Sequence, residues 1–340
     1  MSPRRSSLFI SLFLSLALTW PAGAASYKPE YKLSLVVAPN NPWGDSGTRF
    51  ADLVRERTGG KINIKCYFAG QLFAGMQTNE FLITRQGVGD FAIGSTINWS
   101  PTVKELNLFS LPFFFPDYKA LDALEGSDIG KQIFKIIEEK GVLGLGWGEN
   151  GYRELTNSKR AVHRPEDLDG LKIRVVGSPI FIDTFRAMGA NPISINWSEA
   201  LTALQQKTVD GQENPVSSIV IPYKLWEFNR FITIWHYTID PLILGVSKET
   251  WNTFDPKDRE ILAKAAQEVM AWNKREARKG LAGSTEALNM LKNNGMEVTV
   301  LSPSETAVFK GKTKSVYEKW NKEIGPKLVE SAEKAIKSSH

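Results

Sequence analysis

The chain has 340 residues, 42% of them hydrophobic and 23% charged, with a formal net charge of +5. That length and apolar fraction support two domains or one large composite one. Its basic and acidic residues are interspersed, which excludes a nucleic-acid footprint or a polybasic membrane contact. The single cysteine, Cys66, excludes an intramolecular disulfide. Alternating with Ile62, Ile64 and Phe68, it reads as a packed core residue rather than a reactive one.

The first elements are those of an export signal. Arg4 and Arg5 give a positive start, residues 8–18 are apolar, and Ala22-Gly23-Ala24 is a small-x-small cleavage site. A secretory signal over residues 1–24 is expected. Its apolar run is shorter than the ~20 residues that span a bilayer, and no later segment is apolar enough to do so. The mature protein is therefore expected to be exported and not itself membrane-spanning.

Strands and helices then alternate. Residues 32–37 read as a strand and 44–57 as a helix with Phe50, Leu53 and Val54 on one face, stopped by Gly59-Gly60. A strand at 61–68, a helix at 76–85, a strand at 90–94, a helix at 119–140 and a strand at 142–147 follow. After Arg160 the pattern restarts. It has a helical turn at 165–169, a strand at 171–176, a helix opened by Ser178-Pro179, a strand at 191–195, a helix at 198–206, an extended segment at 208–212 and a helix after Pro215. Such alternation argues for βαβ units and an α/β fold of two similar lobes divided near residue 150. The longest helical pattern starts at Asp255-Pro256 and runs toward Asn293-Asn294-Gly295, with Ile261, Leu262, Ala265, Ala266, Val269 and Trp272 on one face. Gly280 and Gly283 are expected to bend it or end it early. A last helix is expected over 304–337.

Enzyme chemistry finds no footing. The three histidines, His163, His236 and His340, fall at no metal-ligand spacing, and there is no HExxH, paired cysteine or G-x-S-x-G motif. Residues 146–151 fit G-x-G-x-x-G after a strand, but residues 152–157 read as extended, whereas a dinucleotide site needs a helix there. No cofactor and no metal are expected.

Anion-binding residues stand out instead. Arg174 is a polar position between Ile173 and Val175, in a strand leading to a helix N-terminus, and Arg153 follows the crossing from the first lobe. Guanidinium presents a planar donor fork that matches a carboxylate. An edge-strand role for Arg174 reads equally well from spacing alone. Residues 209–215 pack four polar side chains before a helix-starting proline, which is also compatible with a capped turn.

Residues 151–175 (GYRELTNSKRAVHRPEDLDGLKIRV) and 188–215 (MGANPISINWSEALTALQQKTVDGQENP) carry a resemblance. AGQL at 69–72, GVGDFAIG at 87–94 and LPFFF at 111–115 agree with it. Across essentially the whole mature chain, the sequence resembles the solute-binding proteins of tripartite ATP-independent periplasmic (TRAP) transporters, in the C4-dicarboxylate-binding family. The resemblance implies a two-lobed α/β periplasmic-binding-protein fold with a central cleft, hinge closure and a long interlobe helix after Asp255. Lobe I would comprise residues 25–150 plus about 239–278, and lobe II 151–238 plus about 279–340. It further implies a non-enzymatic periplasmic monomer that passes a small organic acid to membrane permease subunits.

Residue by residue, Arg174 matches the arginine that pairs with the ligand carboxylate, and Glu213 and His236 resemble a supporting pair behind it. Asn214 matches a ligand-contacting asparagine, Arg153 a more variable basic contact, and Trp197 an aromatic against the ligand. Ser95, Asn98 and Trp99 fall on the lobe I side, and Asn40 and Trp43 in the first loop. Gly177 departs from a polar residue in relatives, and lobe I offers no obvious carboxylate for a large polyhydroxylated acid. With Trp197, Trp99 and Trp235 this favours a compact or aromatic acid. A sulfonate or other anion, or a receptor feeding a signalling partner, are the alternatives.

Overall fold

A computed structural model describes residues 27–339, so the expected signal segment at 1–24 lies outside the described range. Ten strands run in chain order as β1 (Tyr31–Ser34), β2 (Ile64–Tyr67), β3 (Phe91–Ser95), β4 (Val142–Asn157), β5 (Lys172–Val175), β6 (Asn191–Ser194), β7 (Gly211–Pro215), β8 (Phe231–Ile234), β9 (Ile239–Ser247) and β10 (Glu297–Val300). They form one path, β2-β1-β3-β9-β4-β7-β5-β6, with β8 and β10 continuing from β4. The outer strands pair in parallel on both sides, as βαβ units require. The central pairs of β4 with β9 and β7 are antiparallel.

β4 is the strand that turns two half-sheets into one. Its first part pairs with β9 and its second with β7 and β8. The alternation that marks a strand is interrupted twice, at bulges between Gly144 and Gly146 and between Glu149 and Gly151. Bulges bend and twist a strand locally. Gly151 sits at φ 125°, which only glycine adopts without strain. The expected strand at 142–147 is thus the opening of a 16-residue strand, and the G-x-G-x-x-G stretch lies inside it.

Strand alternation sorts side chains into two cores on opposite faces of the sheet. Phe91 and Ile93 of β3 and Leu242, Leu244 and Val246 of β9 join one, while Ala92 and Ile243 join the other. Helix Pro42–Arg57 and the long helix Pro256–Arg278 cover the first face. Cys66 packs partly buried against that core, where burial pushes its thiol up to about 12.

Four helical expectations differ from the structure, three of them for a local reason. The 119–140 pattern is two helices, Tyr118–Gly126 and Asp128–Glu139, because Ser127 caps the second through the Ile129 N–H. The long helix stops at Arg278, and Gly280 in the left-handed region turns the chain before Glu286–Asn293. The 304–337 pattern is three helices, broken at Thr313 and at Gly325-Pro326. After Pro215 there is only a five-residue π-helical turn, Val216–Val220.

The end of the long helix is tied to the bend in β4. Arg278 donates to Glu149 at 2.6 Å and to both Asp122 oxygens at 2.7 Å. Glu149 is fully buried, so the helix meets the crossing strand through a charge that has no water to turn to. Among the described residues no helix is long and apolar enough to cross a membrane.

Candidate functional site

At the seam between the half-sheets lies a tight cavity, lined from both sides. Val36, Val37, Trp43, Gln77, Ser95, Ile97 and Asn98 come from the first half. Arg174, Val176, Trp197, Asn214 and Ile219 come from the second, and Asn150, Arg153 and Asp240 from the crossing strands β4 and β9. A larger open groove lies between residues 112–114 and the C-terminal helices, with mostly apolar walls. It gathers no buried, convergent polar groups, which are what orient a small polar ligand.

Arg174 sits on β5, where Leu171, Ile173 and Val175 face the core. Its own side chain is turned into the cavity and is 1% exposed. Nε donates to the Ile195 carbonyl at 2.8 Å, and the guanidinium carbon stands 5.6 Å from the Trp197 ring centre. Among the described residues its Nη2 has no hydrogen-bond partner. Burial lowers its pKa to about 10, so the group keeps its charge at neutral pH. A buried cation with an unpaired donor is costly unless an anion meets it.

Arg153 is different. Its Nε donates to Glu213 Oε2 at 2.5 Å, Nη2 to Glu213 Oε1 at 2.8 Å, and Nη1 to Asp240 Oδ2 at 3.0 Å. The β4–β7 register creates this pair, since it brings Leu155 opposite Glu213 and Arg153 opposite Pro215. Those two carboxylates hold the Arg153 pKa above its ordinary value despite burial.

Three expectations change at this point. Glu213 bonds Arg153 and reaches Arg174 only through its charge, and it is shared with Tyr237, whose hydroxyl donates to Oε2 at 2.6 Å. His236 does not face Arg174. Its Nδ1 lies 2.5 Å from Glu154 Oε1, and its ring stacks on Tyr152 at 4.6 Å, because residue 236 takes a left-handed φ of 49° that turns it outward. The first-half side does carry a carboxylate partner after all, since Ser95 Oγ donates at 2.5 Å to Asp240.

Arg174, Arg153, Asn214, Trp197, Ser95, Asn98 and Trp43 converge on the one cavity. Trp99 and Asn40 do not. Trp99 is wholly buried with Nε1 on Glu80 at 3.1 Å, a carboxyl that burial raises to about 8. The ring presses on Gly94, where an added Cβ would lie 2.1 Å from the indole. Asn40 is an exposed loop residue whose N–H is taken by Asp45.

Sequence reasoning missed Asp240, Asn150 and Gln77. Asp240 is 1% exposed and accepts from Ser95, Asn150 and Arg153. Burial raises its pKa against their pull. A lone acidic residue inside the apolar run of β9 was the available signal. Gln77 joins the two halves. Its Nε2 donates to Asn98 Oδ1 and its Oε1 accepts from the Trp197 N–H, both at 2.6 Å. Ser100 and Ser178 meet across the same seam at 3.0 Å, and the Ala38 N–H donates to Tyr223 at 3.0 Å.

The His236–Glu154 contact makes stability depend on pH. Burial lowers the imidazole pKa, but Glu154 outweighs it and the net shift is upward from 6.5. A raised pKa means the contribution is complete below the unfolded value and is lost as pH rises through the folded one. The melting-temperature gap between the protein and His236→Asn is expected to narrow from about pH 5.5 to about pH 8.5. An unchanged gap in thermal unfolding would remove the pair from the stability of this corner.

The sequence and the fold of this chain have counterparts. Residues 33–323 match the model for bacterial extracellular solute-binding protein, family 7. The chain belongs to that family. A C4-dicarboxylate-binding periplasmic protein DctP from Shewanella loihica is 30% identical over 89% of this chain and 88% of its own length. A crystal structure of a TRAP periplasmic solute-binding protein from Ralstonia eutropha H16, with bound (S)-2-hydroxy-2-methyl-3-oxobutanoate, is 52% identical. It covers 92% of this chain and 100% of that one, with a TM-score of 0.90. The sugar acid-binding protein DctPAm from Advenella mimigardefordensis, in complex with galactonate, is 28% identical over 92% of this chain and 98% of its own, with a TM-score of 0.85. Family 7 members bind small organic acids for transport and are not enzymes. Their fold is two-lobed, as the α/β half-sheets here are.

Proposed function

We propose that this family 7 protein captures a compact organic acid in the periplasm and hands it to a TRAP permease as a monomer freed of residues 1–24. In this reading, residues 25–150 with about 239–278 form one lobe and 151–238 with about 279–340 the other. The ligand carboxylate sits on Arg174, Trp197 covers an apolar or flat face, and Asn214 and Asn98 add polar contacts. Arg153 braces the cleft through Glu213 and Asp240. One observation carries the proposal: Arg174 is a buried cation with an unpaired donor, in a cavity that both halves close. The Ralstonia eutropha relative, with a five-carbon acid bound, supports a ligand of that size over a large sugar acid.

The experiment is a thermal-shift screen of the mature protein against mono- and dicarboxylates, keto acids, sugar acids, aromatic acids and sulfonates. A ligand at 100 times its dissociation constant adds about 2.7 kcal/mol of stability. The expected result is a clear rise with compact carboxylates, accompanied by contraction in solution scattering as the lobes close. A rise with sulfonates alone would replace the carboxylate reading. Binding without contraction would remove the closure.

A further inference from the structure

Arg174 defines one end of the cavity as a place for an anion. The opposite chemistry gathers around Asp240. Its Oδ1 accepts from Ser95 at 2.5 Å, and its Oδ2 accepts from Asn150 at 2.8 Å and Arg153 at 3.0 Å. Three donors converge on its two oxygens, one fewer than the roughly four acceptor positions of a carboxylate. Oδ1 keeps one acceptor position after the Ser95 bond. Asn150 points the same way. Because its Nδ2 faces a carboxylate, its amide orientation is fixed, and Oδ1 is the atom left over on a residue that lines the cavity. Among the described residues that buried Oδ1 has no partner. Arg153 has no charge to spare for a second ligand carboxylate, because one guanidinium already faces the two carboxylates of Glu213 and Asp240, which take four of its five N–H groups with the Glu213 carbonyl.

We propose that Asp240 and Asn150 form a hydroxyl-accepting, carboxylate-rejecting end of the cleft, so that the ligand is a hydroxylated monocarboxylate and C4-dicarboxylates are excluded. The proposal rests on the carboxylate reading of Arg174 and adds the selectivity. A ligand hydroxyl donates its one hydrogen to either free acceptor, Asn150 Oδ1 or the remaining lone pair of Asp240 Oδ1. A second carboxylate in the same position brings no hydrogen for either acceptor and meets the Asp240 carboxylate at close quarters in a buried cavity. Selection therefore comes from a repulsive group placed against the competitor as much as from an attractive one. The curated relative named for C4-dicarboxylates thus marks the family and not this chain's specificity.

Three related probes separate the contributions by calorimetry: 2-hydroxy-2-methylbutanoate, 2-methylbutanoate, and 2-methylbutanedioate, which has the second carboxylate and no hydroxyl. The expected order puts the hydroxy monoacid first. Losing the hydroxyl should weaken binding roughly 10- to 100-fold, and adding the carboxylate should weaken it about 100-fold or more. In Asp240→Asn the gap between hydroxy monoacid and diacid should close by about tenfold or more. If the diacid binds the wild-type protein as tightly as the hydroxy monoacid, the proposal is overturned, whether or not the variant folds. A folded Asp240→Asn protein with an unchanged ratio overturns Asp240 as the discriminator. If none of the three binds while other carboxylates raise the melting temperature, the selectivity is wrong and the Arg174 reading stands. If no carboxylate of any kind binds, both fall.

Discussion

Arg174→Ala is expected to weaken binding of the organic acid roughly 30- to 5,000-fold, the equivalent of about 2–5 kcal/mol for a buried charge partner. The protein without ligand should melt at the same temperature or higher, because the substitution removes a desolvated cation whose Nη2 has no partner among the described residues. Calorimetry and thermal unfolding together test both halves. Unchanged affinity would sink the carboxylate clamp. A large fall in the melting temperature of the free protein would instead give Arg174 a structural role that its contacts do not suggest.

Arg153→Leu should behave in the opposite way. It leaves Glu213 and Asp240 side by side in the interior, each at most 1% exposed. Removing the shared partner of a buried ion pair costs about 3–5 kcal/mol, which should lower the melting temperature by several degrees. The sign of its pH dependence follows from the same residues. Burial already raises the Asp240 pKa, and without Arg153 to lower it the pKa rises further, so the deficit grows as pH climbs and shrinks on acidification. Thermal unfolding at about pH 5 and pH 8 reads this directly. A deficit of the same size at both values would mean that the two carboxylates find another donor. The pair of substitutions separates two arginines that composition and motif treat alike.

Much of this was legible in the sequence because it is local. The βα alternation, the break after the long helix at Gly280 and the position of Arg174 between apolar neighbours all depend on residues within one or two turns. Trp197 and Asn214 could be placed by their motifs. The partners of Arg153 could not. They come from residues 60 and 87 positions away, brought in by the register of β4 against β7 and β9. A one-residue slip in either pairing would send those side chains to the other face. β4 itself hid because its bulges break the alternation that signals a strand. Asp240 was masked by its apolar neighbours, and Tyr237 by the more conspicuous histidine beside it. Trp99 misled because an aromatic near a cleft and an aromatic in a core have the same sequence signature. What separates them is Gly94, against which the indole packs.

The two crossing strands have a kinetic consequence. β4 and β9 pair with each other on both sides of the seam, so the lobes are joined by a hydrogen-bonded ribbon rather than by loose linkers. Opening must flex that ribbon at the Glu149–Gly151 irregularity, where Arg278 already grips it. On the proposed binding mode, a bound acid leaves only when this ribbon bends. Residence time should then track the stiffness of residues 149–151 as closely as the quality of the contacts around the acid, and ligands of different affinity should share one slow release step.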